Sequence, residues 1–361
     1  MNKKDRMQQL VKLYYKFRIP LTSKNSWKRA WRQRREAFLT DKEILKENIS
    51  NFKKRYKNDG YRKELYKKKY LDFLLCFFLF CCSADEYFQY DFMNKGWRWR
   101  NHHITIERRH FIDSMMNEKK ELQIIANKAR FNDYFSSYIH RKWCDIKSVD
   151  ETEFIDIFSK TERIIIKPRG MYGGLGIETR TVSDSTLKEV HKKYSHGKPN
   201  YVIEEYLNQK GLLHKINPAS LNSIRITTLR TKHGVKIIDG FFRCGCGDSI
   251  VDNFSSGGII FPLNVATGEL FEGHSAEQLH ISVHPLSGIQ IKDLKLPDWE
   301  LIKSDVPKAH ELCPESIRLV GWDVVVIDGK VILIEGNSKP GYTTLYDPHN
   351  KLWQKVKHSF D

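Results

Sequence analysis

Two periodicities divide the chain. From Ser26 to Tyr56, large apolar side chains recur at every seventh position, and Lys and Arg fill much of the sequence between them. The recurring residues are Trp31, Phe38, Leu45 and Phe52. This spacing predicts helical structure with one apolar stripe, and Thr40 with Glu43 forms a capping box that would split it into two helices. The stripe suits packing within the protein, and a membrane-surface helix is the alternative.

After Glu162 the pattern changes to short β-branched runs that are separated by Gly, Asn and Asp-Gly. The runs are RIIIKP, GIETRTV, NYVIEEYL, SIRITTLRT, VKIIDGFFRC, GGIIFPLN and GWDVVVIDGKVILIEGN. Such runs predict strands joined by tight turns. A helical pattern interrupts them around residues 184–194. We therefore expect an α+β fold with a helical N-terminal part.

The longest apolar run, Phe73–Cys82, has ten residues. A membrane-spanning helix needs about 20, so we favour a buried helix over an interfacial anchor. The basic N-terminus is not followed by the apolar stretch of a signal peptide. The seven cysteines include no C-x-x-C pair, as suits a reducing compartment. We expect a cytoplasmic protein, with the inner face of the membrane as an open alternative.

The positive charge is concentrated at one end. The net charge is +17, and residues 1–70 hold 23 of the 61 Lys and Arg but only 7 of the 44 Asp and Glu. A basic segment of this kind gains affinity for an anionic membrane or an anionic polysaccharide. GWRWRNHH (96–103) has a basic-aromatic composition, but it is read as a loop because no RRM or OB signature accompanies it. A nucleic-acid partner is not expected.

A glycine-rich segment follows the first predicted strand. Lys167 ends the strand, Pro168 keeps its end extended, and Gly170, Gly173, Gly174 and Gly176 follow. Bare backbone N–H groups beside an ammonium suit phosphates. The spacing matches neither G-x-x-x-x-G-K-[ST] nor G-x-G-x-x-G. A glycine-rich hairpin between two strands fits better.

Two acids lie on the predicted hairpin near the end of the chain. Asp323 and Glu335 flank the turn residues Asp328-Gly329, and Asn337 follows. With an odd-length turn all three would share one face, whereas a two-residue turn would separate Asp323 from Glu335 unless a bulge intervened. Oxygen ligands of this kind suit Mg²⁺, which uses one or two carboxylates together with substrate phosphates. Two acids at strand ends facing solvent are the alternative.

The order of these motifs resembles the ATP-grasp superfamily. SADEYFQYDF, NSIRITTLR, DNFSSGGIIFPLN, HPLSG and the acidic hairpin make residues 83–347 similar to the sugar-transfer-associated ATP-grasp family of polysaccharide biosynthesis. The resemblance implies two α+β lobes that clasp ATP. It implies four segments: a basic amphipathic helical extension (1–70), a helical region (71–127), lobe 1 (128–207) and lobe 2 (208–361).

The resemblance also implies roles for individual residues. The ATP-binding residues would be Lys128, Lys167, Gly170, Gly173, Gly174, Gly176, Glu204, Glu205 and Leu207. Lys167 and Arg225 would act in catalysis, and the metal ligands would be Asp323, Glu335 and Asn337, holding Mg²⁺ or its substitute Mn²⁺. Candidate substrate contacts are His214, Ser256, Gly257 and Gly258, and Arg169 and His274 are further candidates for contact with the acceptor. Two departures are Leu175, where many relatives have a lysine, and Gly211-Leu212-Leu213, which lacks a ribose-binding acid.

The implied activity is an ATP- and Mg²⁺-dependent carboxylate-amine or carboxylate-thiol ligase that acts through an acyl phosphate. Its substrate would be a sugar acid, amino sugar or amino acid of cell-surface polysaccharide biosynthesis. The alternatives are phosphoryl transfer to a sugar hydroxyl, and a non-catalytic protein that binds polyanions or membranes. Neither the acceptor nor the oligomeric state follows from the sequence.

Overall fold

The structure is a computed structural model of the 361-residue chain. It describes residues 26–170, 175–247, 252, 254, 257–278, 280–341 and 351–360. Contacts divide the chain into two units, 1–116 with 347–361, and 117–346. The division into four segments at residues 70, 127 and 207 stays a prediction.

The first unit is helical in its described residues. It begins with α1 (Ser26–Thr40) and α2 (Lys42–Asn58). The predicted split between the two helices is present, but the N-cap is Asp41, whose Oδ1 accepts from the backbone N–H groups of Glu43 and Ile44 at 2.8 and 3.1 Å. Thr40 cannot cap because its hydroxyl donates to the Glu36 carbonyl, back along α1. The predicted apolar stripe is buried within the protein.

The apolar run lies in α3 (Tyr66–Phe80), which buries one face completely. Phe73 stacks on Phe52 of α2, with ring centroids 4.7 Å apart. The expected burial holds for this face, whereas Leu75 on the other side of the helix is 53% exposed, and the interfacial alternative stays a prediction for that side. Among the described residues, no helix combines the length and the apolar character needed to cross a bilayer.

The remaining helices of this unit are α4 (Ala84–Gln89), α5 (Trp97–His102), α6 (Ile106–Met116) and, near the C-terminus, α14 (Leu352–His358). The loop predicted for residues 96–103 was wrong, because α5 begins directly after Gly96. Trp99 of α5 packs against Phe92 and His103, with centroids 5.4 and 5.0 Å apart. Ring packing accounts for this tryptophan without a nucleic acid.

The second unit contains two antiparallel sheets. The smaller sheet has the order β1-β4-β2-β3 in the described residues. Its strands are β1 (Trp143–Asp145), β2 (Arg163–Pro168), β3 (Glu178–Thr181) and β4 (Tyr201–Glu205). Helices α10 (Glu151–Phe158) and α11 (Asp184–Tyr194) supply apolar side chains to its core. The predicted helix over 184–194 and the hairpin between β2 and β3 are confirmed.

The larger sheet has the order β7-β6-β5-β8-β9. Its strands are β5 (Ile224–Thr231), β6 (Gly234–Cys244), β7 (Ile259–Pro262), β8 (Leu319–Ile327) and β9 (Lys330–Asn337). Its core includes residues of α13 (Trp299–Glu311) and of three short helices near residue 130. Those helices are α7 (Gln123–Ala126), α8 (Lys128–Tyr134) and α9 (Ser136–Ile139), and α12 (Gly211–Ile216) precedes β5.

The hairpin of β8 and β9 combines a two-residue turn with a bulge. Asp328 and Gly329 have φ angles of +50° and +70°, as a type I′ turn requires. Val324 pairs with Leu333, but Asp323 pairs with Glu335, so Ile334 is the extra residue of a β-bulge. The bulge restores the shared face that a regular two-residue hairpin would lose. The sequence analysis gave this as the condition for the two acids to meet.

Candidate functional site

A buried carboxylate on the smaller sheet collects two cations. Glu204 of β4 is 2% exposed. Its Oε2 accepts from Lys167 Nζ of β2 at 2.6 Å and from Arg141 Nε at 2.8 Å, while its Oε1 accepts from Asn132 Nδ2 at 3.0 Å. Burial alone raises the pKa of Glu204, but Arg141 and Lys167 outweigh burial and hold the pKa well below its usual range. Glu204 therefore stays ionised and fixes the Lys167 ammonium.

Arg141 extends this cluster to the acidic hairpin. Its Nη1 donates to the Leu333 carbonyl at 2.8 Å, and its Nη2 lies 3.4 Å from the Ile334 carbonyl. Ile334 is the extra residue of the bulge that aligns Asp323 with Glu335. One guanidinium thus holds the anion that orients Lys167 and also holds the backbone of the bulge.

The acidic hairpin brings together the three predicted metal ligands. Asp323 and Glu335 are direct cross-strand partners, and Asn337 Nδ2 lies 3.3 Å from Glu335 Oε1. Asp323 is 2% exposed, whereas Glu335 and Asn337 remain partly exposed. Burial raises the pKa of Glu335, and the adjacent Asp323 raises it further. Burial and the adjacent acid together disfavour the ionised form of Glu335, on a face that a ligand can reach.

Two arginines from neighbouring strands hold Asp323. Arg225 of β5 pairs with it through both carboxylate oxygens, and Arg243 Nη2 of β6 contacts its Oδ2 at 2.9 Å. Arg243 also contacts Ser223 Oγ at 2.7 Å, and Ser223 Oγ donates to Asp252 Oδ2 at 2.5 Å. Burial alone raises the pKa of Asp323, but Arg225 and Arg243 lower it well below its usual range. The predicted catalytic Arg225 therefore lies directly against a predicted metal ligand.

Lys128 links the basic cluster with the acidic hairpin. It begins α8, where Asn127 Oδ1 caps the helix by accepting from the N–H groups of Ala129 and Arg130. Burial lowers the pKa of Lys128, Glu335 opposes that shift, and the repulsion of Lys167 adds to it. The ammonium of Lys128 therefore interacts with groups on both sheets. Both predicted lysines and the predicted metal face meet in one electrostatic environment.

Gly336 of β9 allows the segment of α7 and α8 to pack closely on this strand. A Cβ at Gly336 would lie 2.8 Å from Ile125 Cγ2 and 2.9 Å from Phe131 Cε2, at side chains of α7 and α8. The missing side chain lets the segment that carries Lys128 pack directly on the strand of Glu335 and Asn337.

The glycine-rich loop connects β2 with β3, as predicted. Gly170 is exposed with open space around its Cβ direction, and Gly176 has φ +72°. Leu175 is 69% exposed. Gly173 and Gly174 lie outside the described residues.

The predicted hinge follows β4. The Glu205 N–H donates to the Lys142 carbonyl at 2.8 Å, its carboxylate accepts from the Lys142 N–H, and Leu207 lies partly buried beyond the strand. The Glu204 side chain is engaged by its cations, so any contact of this residue with adenine would come from its backbone. The adenine contacts stay a prediction.

The predicted substrate contacts are spread over several elements. His214 lies partly buried on α12, Gly257 is exposed with φ +87°, and Gly258 is buried just before β7. Ser256 lies outside the described residues. His274 is buried and bridges Ile260 of β7 through the backbone. Burial lowers the pKa of His274 to about 4, so this imidazole is neutral near pH 7.

Arg169 is already paired. Its Nη1 contacts Asp145 Oδ2 at 2.6 Å, and its Nη2 contacts Asn127 Oδ1 at 3.0 Å. Because Asn127 caps α8, Arg169 supports the helix start that carries Lys128. These contacts give Arg169 a structural role, and its predicted contact with the acceptor stays a prediction.

Comparison with protein-family models shows which family the chain belongs to. The family model described as sugar-transfer associated ATP-grasp matches residues 107–346. The chain belongs to this family. Its α+β architecture, with two antiparallel sheets flanked by helices, is the ATP-grasp fold.

Solved structures of ATP-grasp enzymes resemble the chain at low identity. An L-amino acid ligase from Bacillus licheniformis is 12% identical, with TM-score 0.42 over 72% of this chain and 54% of that one. D-alanine–D-alanine ligase from Bacillus anthracis is 14% identical, with TM-score 0.36 over 70% and 74%. The biotin carboxylase domain of Hydrogenobacter thermophilus 2-oxoglutarate carboxylase, crystallised with MgADP, is 12% identical, with TM-score 0.42 over 69% and 51%.

The chain spans about half the length of two of these proteins, the L-amino acid ligase and the biotin carboxylase domain. Among curated proteins, none matches it.

Sequence reasoning missed four residues of this ATP-grasp site: Asn132, Arg141, Asp252 and Arg243. Arg243 had a signal, because it is a lone cation in an apolar strand, as Arg225 is. Arg141 had none, because it lies in a short segment between α9 and β1 whose pattern resembles any polar loop.

The acidic hairpin fits a magnesium ion. Within the described ranges, no group of three or more His, Cys, Asp or Glu side chains is placed to hold a metal. The hairpin instead offers two carboxylates and an amide, a set that Mg²⁺ completes with phosphates and water. The raised pKa of Glu335 supports the fit, because a cation there would relieve its repulsion with Asp323.

Proposed function

We propose that this protein is an ATP- and Mg²⁺-dependent ligase that joins a carboxylate to an amine. One observation carries the proposal: Arg141 contacts Glu204, the partner of Lys167 on the smaller sheet, at 2.8 Å, and the Leu333 carbonyl of the acidic hairpin also at 2.8 Å. A triphosphate with its magnesium needs cations and oxygen ligands together, and this arrangement supplies both.

Asp323, Glu335 and Asn337 would hold Mg²⁺, and Mn²⁺ could replace it. The ion supplies charge neutralisation of the triphosphate and orients its oxygens. Lys128 and Lys167 would contact phosphate oxygens, and the backbone of residues 170–176 would cover them. Glu205 and Leu207 would receive adenine.

Arg225 would stabilise the charge that develops at the γ-phosphate. Its present partner is Asp323, so binding of a cation by Asp323 would weaken the ion pair and let the guanidinium turn to phosphate. Its role is charge stabilisation, since a guanidinium does not transfer protons near neutral pH.

The proposed reaction has two steps. An acceptor carboxylate oxygen attacks the γ-phosphorus, the bond from that phosphorus to the β,γ-bridging oxygen breaks, and ADP leaves. An amine then attacks the carbonyl carbon of the acyl phosphate, inorganic phosphate leaves, and the amine loses its proton. A thiol could take the place of the amine with the same balance of bonds.

The family description supports a sugar-related substrate. We propose a sugar acid, amino sugar or amino acid used in cell-surface polysaccharide biosynthesis. The same phosphate and metal apparatus would also serve phosphoryl transfer to a sugar hydroxyl, and product analysis separates the two reactions.

The experiment is an ADP-release assay over pairs of sugar acids, amino sugars and amino acids, with and without hydroxylamine. We expect Mg²⁺-dependent ADP release with a carboxylate acceptor and formation of its hydroxamate. Glu335→Gln should remove this activity, while Glu300→Gln, an exposed acid on α13, should not. ADP release with a phosphorylated alcohol and no hydroxamate would replace the ligase with a phosphotransferase. Equal ADP release by the wild type and by Glu335→Gln would contradict the proposed role of the acidic hairpin in catalysis.

A further inference from the structure

Helix α3 of the first unit has an exposed face that combines lysine with leucine. Lys67 and Lys68 are exposed, and Leu71 and Leu75 are 56% and 53% exposed. These four residues, named here the α3 face, share one side of the helix, because Leu71 follows Lys67 and Lys68 by four and three positions and Leu75 follows Leu71 by four. The opposite side is buried, where its members are Phe73, Cys76, Phe77 and Phe80.

The two residue types are ordered along the helix. The lysines occupy its first turn, and the leucines follow towards its C-terminal end. Single exposed leucines are common on protein surfaces, but two of them one turn apart beside unpaired cations are a different feature. Within the part of the chain that the structure describes, neither Lys67 nor Lys68 has an acidic partner in an ion pair.

Further exposed cations precede this face. They are Lys53, Lys54, Arg55, Lys57, Arg62 and Lys63. The end of α2 that carries several of them packs on the start of α3, where the Tyr56 and Tyr66 rings are 5.2 Å apart. Positive charge is therefore concentrated around the basic end of α3, and an anionic partner would complement it.

The two exposed leucines favour an anionic bilayer over a soluble acidic polysaccharide. A soluble acidic polysaccharide would satisfy the lysines and leave Leu71 and Leu75 in water. A bilayer offers phosphate groups to the lysines and an apolar boundary to the leucines. We propose that the α3 face docks the protein on a bilayer surface that contains anionic lipids.

The experiment is co-sedimentation of the full chain with vesicles of phosphatidylcholine, with or without phosphatidylglycerol. We expect binding to the anionic vesicles that weakens with salt. Leu71→Gln with Leu75→Gln, and separately Lys67→Glu with Lys68→Glu, should each weaken binding by about tenfold or more. Both pairs are exposed, and unchanged thermal unfolding will show that the variants fold.

Matched controls come from the second unit. Leu286→Gln changes a leucine that is 65% exposed, and Lys188→Glu with Lys192→Glu reverses two exposed charges one turn apart on α11. Both should bind as wild type does. Equal binding by the leucine variant would overturn the proposal, and so would equal binding to uncharged vesicles. Loss of binding in the lysine variant alone, with competition by a soluble acidic polysaccharide, would assign the face to a glycan. ADP release reports on the proposed ligase separately.

Discussion

Two buried carboxylate centres of the second unit differ in their balance of charge. Glu204 on the smaller sheet is one anion between two cations, Lys167 and Arg141. The larger sheet gathers three anions around two cations, since Asp252, Asp323 and Glu335 meet Arg225 and Arg243. The first centre has an excess of positive charge, and the second has an excess of negative charge.

This difference assigns different tasks to similar residues. The centre around Glu204 is satisfied by protein groups, so its carboxylate is structural and its excess charge is available to an anion. The centre around Glu335 is not satisfied, because burial and then the adjacent acid raise the pKa of Glu335. Phosphates complement the first centre and a metal ion complements the second. Their proximity, which Arg141 shows by contacting both Glu204 and the Leu333 carbonyl, is what the proposed function requires.

The largest expected effect is on stability at Glu204. Glu204→Gln leaves Lys167 and Arg141 without their anion, and breaking a buried ion pair from one side costs about 3–5 kcal/mol. Urea unfolding measures the loss. Glu205→Gln is the control, because its carboxylate accepts only the Lys142 N–H in the described structure, and it should cost less than about 1 kcal/mol. Equal stability of the two variants would contradict the structural role given to Glu204.

In contrast to Glu204→Gln, Glu335→Gln should lower the activity without lowering the stability. It removes the repulsion with Asp323, so the free energy of unfolding of the metal-free protein should stay equal or rise. The turnover should fall by about 10²–10³-fold, because the metal loses a carboxylate ligand. Denaturation and ADP release, measured on the same preparation, check both parts. A strong destabilisation with activity retained would mean that Glu335 is the structural acid.

A third buried carboxylate extends the comparison to the helical unit. Glu86 accepts three hydrogen bonds, all from neutral donors, at Ser83 and Ile106. Burial raises its pKa to about 7, although those donors lower it. Because the folded state holds the proton more tightly, this stabilisation is complete below the unfolded value near 4.5 and is lost as pH rises through 7.

The loss should amount to about 3 kcal/mol, and Glu86→Gln should remove this part of the pH dependence. Unfolding free energies at a series of pH values, for wild type and variant, provide the measurement. Parallel curves for the two proteins would show that the pKa of Glu86 is the same in the folded and unfolded states, which would contradict the prediction.

A smaller effect is expected at Gly336. The Cβ of Gly336→Ala would press on Ile125 and Phe131, and overpacking of this kind costs about 1–3 kcal/mol. The affinity for ATP should fall as well, because the displaced segment carries Lys128. Gly96→Ala is the control, since open space surrounds its Cβ direction. Calorimetric titration with ATP compares the affinities of the two variants. An unchanged affinity for Gly336→Ala would contradict a role of Lys128 in ATP binding.

Periodicity and turn residues are local signals, so the strands, the hairpins and the places of Lys167, Asp323 and Glu335 could be predicted from the sequence. Lys128 was indicated only by the family resemblance. The sequence did not contain the bulge. A two-residue turn at Asp328-Gly329 would separate the acids, and the extra residue Ile334 is held by Arg141 from a distant segment. A tertiary contact of this kind produces no periodic pattern in the sequence, so the bulge could not be predicted from it.

The same limit applies to Glu204 and Arg243. The acid pair Glu204-Glu205 resembles a nucleotide hinge, but the sequence does not show which side chain is buried against cations. A lone arginine in an apolar strand is equally compatible with a structural ion pair and with an anion site. Only the register of β5 against β8 places Arg225 beside Asp323.

The central claim is that the basic cluster and the acidic hairpin bind one nucleotide. A crystal structure with Mg²⁺ and a non-hydrolysable ATP analogue tests it most directly. The account predicts a magnesium ion about 2.0–2.1 Å from a carboxylate oxygen of Asp323 or Glu335, with phosphates of the same nucleotide in contact with Lys128 and Lys167. A nucleotide bound away from either group, or a metal ion without contact to the hairpin, would contradict it.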